Sequence, residues 1–355
     1  MSDSSESIVL ETTRRILADL ADPQTLNAAR NESWKAPLWQ ALEESGLTLA
    51  WVPEEQGGVG ASISDGFDIL RMAGQFASPV ALGETLLAGW LLGLSGQACP
   101  SGPMTLAPVR DRDRITVGAD GTLTGTARAV PFARDARTLA VLVETDGHAA
   151  VAIVDPAACT MTDRNHDMGG DRSDISFTSI APISIARLPD GISRDDFWIM
   201  AAAARAAQMT GALESCLAVS TQYAMERQAF GRTISKFQAV QHNLAKLAGE
   251  VAASLAASGS AADTLENERD NRAAVFLEAA AAKIRVGEAA RDGIAIAHQV
   301  HGAIGFTSEY VLQRFTRCLM GWRDDFGEES VWAVKLGNAV AEKGEDQLWP
   351  TLTTR

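Results

Sequence analysis

The sequence predicts a mostly α-helical α+β protein, in which a helical region, a β region and a second helical region follow one another. Two observations support this order. No proline occurs between Pro189 and Pro350, and this stretch is rich in Ala, Leu, Glu and Lys, a composition typical of long helices. Residues 105–188 instead contain short β-branched runs separated by Gly, Asp and Pro. We place the domain boundaries at 1–100, 101–190 and 191–355.

The first region has helical periodicity up to a glycine-rich break. Leu38, Leu42, Leu47 and Leu49 precede the segment "PEEQGGVGAS", and the apolar stretch "LGETLLAGWLLGL" follows it. The break has neither the preceding strand nor the following Gly-Lys-Ser/Thr of a phosphate-binding loop. We therefore interpret it as a loop between helices.

The second region is predicted to be a compact β domain inserted between the helical parts. Its predicted strands are the runs "RITV", "TLAVLVET", "AAVAIVD" and "DISFTSI".

The third region is predicted to form three long helices. The first begins near Phe197 and ends before Arg227, and the second starts near Ser235. The polar link "DTLENERDNR" separates the second helix from the third, which ends at "HQVHG". On the second helix, apolar residues recur every three or four positions and so line one face: Phe237, Val240, Leu244, Leu247, Val251 and Leu255.

Composition excludes several classes of function. A net charge of -14 disfavours nucleic-acid binding, which depends on clustered Lys and Arg. We find no run of about 18 apolar residues, so no membrane insertion is predicted. The start "MSDSSESIVLETTRR" is acidic and polar, unlike a signal peptide, which favours a cytoplasmic location. The four cysteines are far apart in sequence and predict buried free thiols.

The segment "QVHGAIGFTSEY" combines histidines with glycines. His298 and His301 could share a helix face, but no third ligand has a supporting spacing, so we predict no metal site. Gly302 and Gly305 would let the backbone approach a ligand or cross a neighbouring helix.

The segment "ERQAFGRTISKFQ" has a basic, irregular start before a helix. Arg227 and Arg232 bracket a turn at Phe230-Gly231. The free N–H groups of a helix start and adjacent guanidinium groups both suit phosphate, so a pyrophosphate-bearing ligand would fit. The alternative is an ordinary helix–helix turn whose arginines pair with surface carboxylates.

Three segments in this order resemble the flavin-dependent acyl-CoA dehydrogenase family: "LWQALEESGLTLAWVPEEQGGVGASISD", "YAMERQAFGRTISKFQAVQHNLAKLA" and "QVHGAIGFTSEYVLQRFTR". The resemblance spans nearly the whole chain. It implies an N-terminal helical domain, a central β domain and a C-terminal four-helix bundle through which subunits associate. It also implies FAD as cofactor, an acyl-CoA substrate and an electron-transfer flavoprotein as acceptor.

In that family the Arg-x-x-Phe-Gly turn and a later glutamine-bearing helix reach across a subunit interface to the adenosine diphosphate half of a neighbour's FAD. By matching positions, the resemblance implies that Arg227 contacts the pyrophosphate and that Phe230 and Gln238 flank the cofactor. The residues implied at the adenine end are Gln299, Gly302 and Ala303.

The chain departs from the family at the reactive end. The usual catalytic glutamate position falls on Phe326 and the alternative position on Ala201, and neither side chain can accept a proton. The segment "MTLAPVRDRDR" keeps only Pro108 of the family's Thr-Glu-Pro segment. On the strand that normally screens the flavin, the nearest aromatic residue is Phe132.

Asp325 is the candidate base in this chain, because a local shift of one residue would turn it into the acyl site. The alternatives are that "WRDDFGEES" is a solvated acidic turn, or that these acids pair with Arg205, which lies in an otherwise apolar helix.

These patterns favour one hypothesis and leave two others open. The chain resembles the shorter subunit of two-chain bacterial acyl-CoA dehydrogenases, which act on bulky steroid side-chain thioesters, and would form a heterotetramer with a longer chain. The alternatives are a self-sufficient homo-oligomeric enzyme that uses Asp325, and an FAD-free scaffold of the same fold.

Overall fold

The computed structural model describes residues 8–164 and 171–353; the acidic start at residues 1–7 therefore lies outside the described residues. Helices come first along the chain. These are α1 (Ile8–Leu20), α2 (Pro23–Ala28), α3 (Lys35–Glu44), α4 (Ile63–Gln75) and α5 (Leu82–Leu94).

A single sheet of eight strands follows. Its strands are β1 (Met104–Ala107), β2 (Ile115–Val117), β3 (Leu123–Pro131), β4 (Thr138–Thr145), β5 (His148–Val154), β6 (Thr160–Asp163), β7 (Arg172–Ile180) and β8 (Ser184–Arg187). The strand order is β6-β7-β3-β2-β4-β5-β8, and β1 pairs with β4. The β1–β4 and β2–β4 pairs are parallel, and the other pairs are antiparallel. The four predicted runs correspond to β2, β4, β5 and β7.

The rest of the chain is helical apart from one short hairpin. Its elements are α6 (Arg194–Glu226), β9 (Gln228–Ala229), β10 (Arg232–Thr233), α7 (Gln238–Asn267), α8 (Arg272–His301), α9 (Leu312–Asp324), α10 (Glu329–Lys343) and α11 (Leu348–Thr353). Helix α6 begins with a capping box, in which Ser193 and Asp196 satisfy each other's backbone N–H groups. The predicted fold class, mostly helical α+β with a central β region, is confirmed.

The N-terminal and C-terminal helices share one hydrophobic core, to which residues of β1, β4 and β5 also contribute, and the sheet has a second, smaller core. Helices α4 and α6 cross at two glycines. A Cβ atom on Gly74 would lie 1.8 Å from the Gln208 carbonyl oxygen, and one on Gly211 would lie 1.8 Å from the Arg71 carbonyl oxygen. Only glycine permits so close a crossing, and the crossing fixes α6 against the N-terminal helices.

Some local predictions need correction. Helix α7 continues to Asn267, so the link to α8 is residues 268–271 and is shorter than predicted.

All four cysteines are free thiols, but only Cys216 is fully buried, and the other three are half-buried. Among the described residues no helix is long and apolar enough to span a bilayer. Within the same ranges, His, Cys, Asp and Glu side chains form no group able to hold a metal ion.

Candidate cofactor site

A basic hairpin, residues 227–234, connects α6 to the start of α7. Arg227 follows the last residue of α6, and its carbonyl accepts a hydrogen bond from Ile234 N at 2.8 Å. Strands β9 and β10 pair Arg232 with Ala229 and close the hairpin. Arg227 is exposed, and no hydrogen bond or ion pair of its guanidinium occurs within residues 8–164 and 171–353. The Arg232 guanidinium lies 4.3 Å from the Phe237 ring centroid.

The tip of the basic hairpin has an unusual backbone. Phe230 and Gly231 have φ values of 51° and 77°, a pair typical of a tight two-residue hairpin turn. A bulky residue at positive φ is uncommon, and such strain concentrates at functional sites. The Phe230 side chain is 95% exposed, so burial in its own subunit does not compensate for this strain.

The start of α7 adds positive potential beside the hairpin. Phe237 is its N-cap and makes no side-chain capping hydrogen bond, and the first turn contains no acidic residue. The first N–H groups of this 30-residue helix therefore face outward beside Gln238. Guanidinium groups next to free helix N–H groups suit a bound anion.

A glycine turn, residues 302–306, ends α8 on the same side of the bundle. Gly302 has φ 66° and ψ −146°, a combination that is essentially restricted to glycine. Its N–H closes α8 by donating to the His298 carbonyl. The six positions that the family resemblance implies for FAD are all exposed: Arg227, Phe230, Gln238, Gln299, Gly302 and Ala303.

The reactive end implied by the resemblance is closed within this chain. Phe326 N donates a hydrogen bond of 3.0 Å to the carbonyl of Val109, so the loop at the usual glutamate position touches the segment that matches Thr-Glu-Pro. The Phe326 side chain is fully buried, and its ring centroid lies 6.1 Å from that of Phe197 and 5.8 Å from that of Trp198. Ala201, the alternative base position, is also fully buried.

A group of buried charges, here called the ionic cluster, fills the space beside Phe326. Its members are Glu84 on α5, Arg172 on β7, Arg205 on α6 and Asp325 after α9. Arg172 donates to both Asp325 oxygens at 2.7 and 2.9 Å, and also to the Ala129 carbonyl at 3.0 Å. Arg205 donates to Glu84 at 2.8 Å and lies 3.4 Å from Asp325. The two cations and two carboxylates of the cluster balance one another, and Arg110, which pairs with Asp324 at 3.5 Å, also lies 3.9 Å from Asp325.

The ionic cluster holds Asp325 in its ionised form. Burial alone would raise the pKa of this carboxyl group, but the charges of Arg172 and Arg205 outweigh burial and lower the pKa to about 2. A carboxylate with so low a pKa, both of whose oxygens accept hydrogen bonds from one guanidinium, is a poor proton acceptor. Asp325 is therefore placed as a structural ion rather than a catalytic base.

The loop around Asp325 is only partly a solvated acidic turn. Asp324 and Glu328 are exposed, whereas Asp325 is completely buried. The prediction that these acids pair with Arg205 is confirmed for Asp325. Phe132 lines a cleft of about 240 Å³ between the sheet and α9, together with Trp34 and Trp322.

Sequence reasoning missed Arg172, Glu84 and Lys283. Lys283 lies in the middle of α8, is fully buried and donates to the Arg323 carbonyl at 2.7 Å, which caps the end of α9. Burial lowers the pKa of Lys283 to about 7, against the opposing attraction of Asp325. Glu84 and Lys283 carried a signal that could have been used, since each is a charged residue inside an apolar helical segment.

Comparison with known proteins agrees with this architecture. Residues 200–323 match the family model described as "Acyl-CoA dehydrogenase, C-terminal domain". The "Acyl-CoA dehydrogenase IpdE2" of Mycobacterium tuberculosis is 27% identical over 342 residues, covering 96% of this chain and 96% of the relative. The protein of the same name from Mycolicibacterium smegmatis is 26% identical over 323 residues, covering 89% and 92%.

Solved structures show the same fold. One chain of the ChsE4-ChsE5 complex from Mycobacterium tuberculosis superposes with a TM-score of 0.80 at 20% identity, covering 96% of this chain and 99% of that chain. A chain of the Tcur3481-Tcur3483 steroid ACAD superposes with a TM-score of 0.81 at 24% identity, covering 94% and 97%.

The helical–β–helical architecture is the one that these solved structures share. The chain is therefore similar to members of the acyl-CoA dehydrogenase family, over residues 200–323 by the family model and over nearly its whole length by the IpdE2 relatives. Members of this family are FAD-dependent oxidoreductases that act on acyl-CoA thioesters.

Proposed function

We propose that this chain takes part in the α,β-dehydrogenation of an acyl-CoA thioester as one subunit of a hetero-oligomer. Its basic hairpin and glycine turn complete the adenosine diphosphate half of an FAD site. A longer acyl-CoA dehydrogenase subunit supplies the catalytic glutamate and the contacts to the flavin ring. Within this proposal, residues 191–355 provide the FAD-facing surface, and residues 101–190 form a β domain that has lost its flavin contacts.

The closure of the reactive end is the observation on which this proposal rests. The Phe326 N to Val109 O hydrogen bond and the buried Arg172–Asp325 pair occupy the region between the two segments that frame the flavin in the family. A flavin ring could enter only if these contacts broke. Leaving a buried charge without its partner costs about 3–5 kcal/mol. The residues of this chain therefore do not fit the ring end of FAD.

The opposite surface does fit the adenosine diphosphate end. Arg227 keeps its hydrogen-bond donors available, and the N–H groups at the start of α7 are further donors at the positive end of that helix. The cofactor, when bound, supplies the hydride acceptor, whereas the proposed role of these residues is to hold its diphosphate. The surface is also apolar in places, since Phe230, Phe306 and Met225 are 95%, 70% and 52% exposed. Such exposed apolar side chains are suited to burial against a partner subunit.

The substrate class and the partner are proposed from the relatives. The similar structures include one complex of two different chains and one steroid ACAD. We propose that the partner is a longer acyl-CoA dehydrogenase chain with an intact glutamate and Thr-Glu-Pro segment, in a heterotetramer. We further propose that the acyl group is bulky and steroid-derived, that electrons pass to an electron-transfer flavoprotein, and that the complex works in the cytoplasm.

The direct test is the flavin content of the purified chain, alone and together with long acyl-CoA dehydrogenase chains from the same genome. We expect the chain alone to lack flavin absorbance and one coexpressed pair to be yellow and active. As a control, the same pair is prepared with the partner's catalytic glutamate changed to glutamine, which should retain flavin and lose turnover. A yellow, active preparation of this chain alone would refute the proposal. Absence of flavin from every pair would instead favour an FAD-free scaffold.

A further inference from the structure

Three aromatic rings connect the basic hairpin to the glycine turn. Tyr223 lies on α6, one helical turn before Arg227, and His301 is the last residue of α8, directly before Gly302. Their rings stack, with centroids 4.4 Å apart and an interplanar angle of 24°. Tyr310 contacts both rings, at 5.8 Å from Tyr223 and 5.0 Å from His301. We call these three residues the aromatic cluster.

His301 is fixed from several sides. It is buried, and its Nδ1 lies 2.8 Å from the Ala297 carbonyl, so this nitrogen carries the proton of the neutral ring and donates it to the carbonyl. Its Nε2 is buried and has no hydrogen-bond partner among the described residues. Gly305 lies so close that a Cβ atom there would be 3.0 Å from the Cβ of His301. The glycine turn is thus packed directly on this histidine.

We propose that the aromatic cluster is a positioning unit that sets the spacing between Arg227 and residues 302–303, and hence between the pyrophosphate and adenine contacts. This inference rests on the proposed function. The two contact segments are about 75 residues apart in sequence, and each is short and exposed. Of the contacts between them, the Tyr223–His301 stack is the one that joins the end of α6 to the end of α8 by a direct ring contact. Neither tyrosine nor the histidine needs to touch FAD.

The burial of His301 makes this unit sensitive to acid. Burial lowers the pKa of His301, and burial together with His301 lowers that of His298, the other histidine on α8. From the remaining elements, Tyr223 faces the ring from α6 and Tyr310 from the segment before α9. Burial and the charge of Glu226 raise the pKa of Tyr310. Protonation of His301 would place a charge on a buried nitrogen without a partner, so the cluster should loosen as pH falls below 6.5, the ordinary pKa of a histidine ring.

The first test uses the full chain alone and does not require a partner or FAD. Tyr223→Leu removes the stack and keeps an apolar side chain, whereas Tyr223→Phe keeps the stack. Hydrogen exchange is followed at the amides of Ile234, Gly302 and Thr307, whose N–H groups are hydrogen-bonded in the hairpin and the turn. We expect faster exchange at all three in the leucine variant and wild-type exchange in the phenylalanine variant. Amides of strands β4 and β5 serve as the control for general destabilisation and should not change.

The second test measures FAD affinity of the flavin-bearing complex by recovery of flavin fluorescence on dilution. Tyr223→Leu should weaken binding by about 2- to 10-fold, the range for one aromatic pair, and Tyr223→Phe should restore wild-type affinity. The wild-type complex should lose affinity between pH 7 and pH 5, and a His301→Gln complex should show a flatter pH profile.

The outcomes separate the two proposals. Unchanged exchange at Gly302 and Thr307 in Tyr223→Leu would overturn the present inference while leaving the proposed function intact. Wild-type FAD affinity in the Tyr223→Leu complex would do the same. A wild-type complex without flavin would overturn the proposed function, and the cofactor role of the cluster with it, whatever the exchange data show.

Discussion

The two ends of the proposed cofactor site differ in how their charged residues are paired. At the reactive end, Arg172 and Arg205 are buried and matched by Asp325 and Glu84 within the same subunit. At the adenosine end, Arg227 is exposed, and the described part of the chain offers it no carboxylate. A guanidinium that is already paired stabilises the fold, whereas one left in solvent beside helix N–H groups is available to a ligand. The exposed end is therefore the one at which we propose that a ligand binds.

Removing a charge from the closed end should have the largest effect on the free energy of unfolding. Asp325→Asn leaves Arg172 and Arg205 buried with one carboxylate fewer, so the free energy of unfolding should fall by about 3–5 kcal/mol. Chemical denaturation of the full chain measures this change. The matched control is Asp324→Asn, whose side chain is 50% exposed and should change stability by about 0.5 kcal/mol or less. Equal effects of the two substitutions would contradict the closed, charge-balanced end.

The difference in stability between wild type and Asp325→Asn should depend on pH. The folded-state pKa of Asp325 is lowered to about 2, below the value of about 3.9 for an unfolded Asp. Between these values the unfolded chain binds more protons, so stability is present above about pH 4 and is lost as pH falls toward 2. The advantage of wild type over Asp325→Asn should therefore shrink by about 2–3 kcal/mol over this window, with about half lost at pH 3. Urea denaturation at pH 6, 4 and 3 checks this. A constant difference across the three pH values would show that Asp325 is not the titrating group.

At the open end, Arg227→Ala should weaken FAD binding by the complex without weakening the fold. The expected loss is about 1.5–3 kcal/mol, the range for a hydrogen bond to a charged group. Equilibrium flavin fluorescence measures the affinity, and thermal unfolding of the chain should not change. Arg187→Ala is the control, since Arg187 lies on β8 and pairs with Asp146. FAD binding that survives Arg227→Ala unchanged would remove the pyrophosphate assignment.

The smallest effect is predicted for the backbone of the glycine turn. Gly302→Ala meets no atom within 4 Å, so its cost comes from the backbone alone and should be about 1–2 kcal/mol. Gly249→Ala on α7 also meets no atom within 4 Å, has no positive φ and should stabilise the chain by about 0.5–1 kcal/mol. Opposite signs for these two glycines in denaturant melts would support the positive-φ conformation of Gly302. A neutral Gly302→Ala would count against it.

Some of the candidate site could be predicted from residues close in sequence. Arg227, the Phe230-Gly231 turn and the start of α7 lie within a dozen residues, so a local pattern contained their arrangement. The loss of a base at Phe326 was likewise visible as a residue type. The role of Asp325 was not, because its partner Arg172 is 153 positions away and reaches it only when β7 packs beside the end of α9.

The sequence by itself determined the order of helical and β regions and the basic, irregular segment before α7, because each follows from composition and periodicity over a short span. The lack of a carboxylate at the usual base positions follows from residue identity once the family resemblance fixes those positions. Only the tertiary structure decided that Asp325 is a buried structural ion. Only the tertiary structure likewise showed that Glu84 is paired, because its partner Arg205 lies 121 positions away in sequence. Local patterns specify which charges a segment carries, but the balance of buried charges depends on distances between segments that meet only in the folded chain.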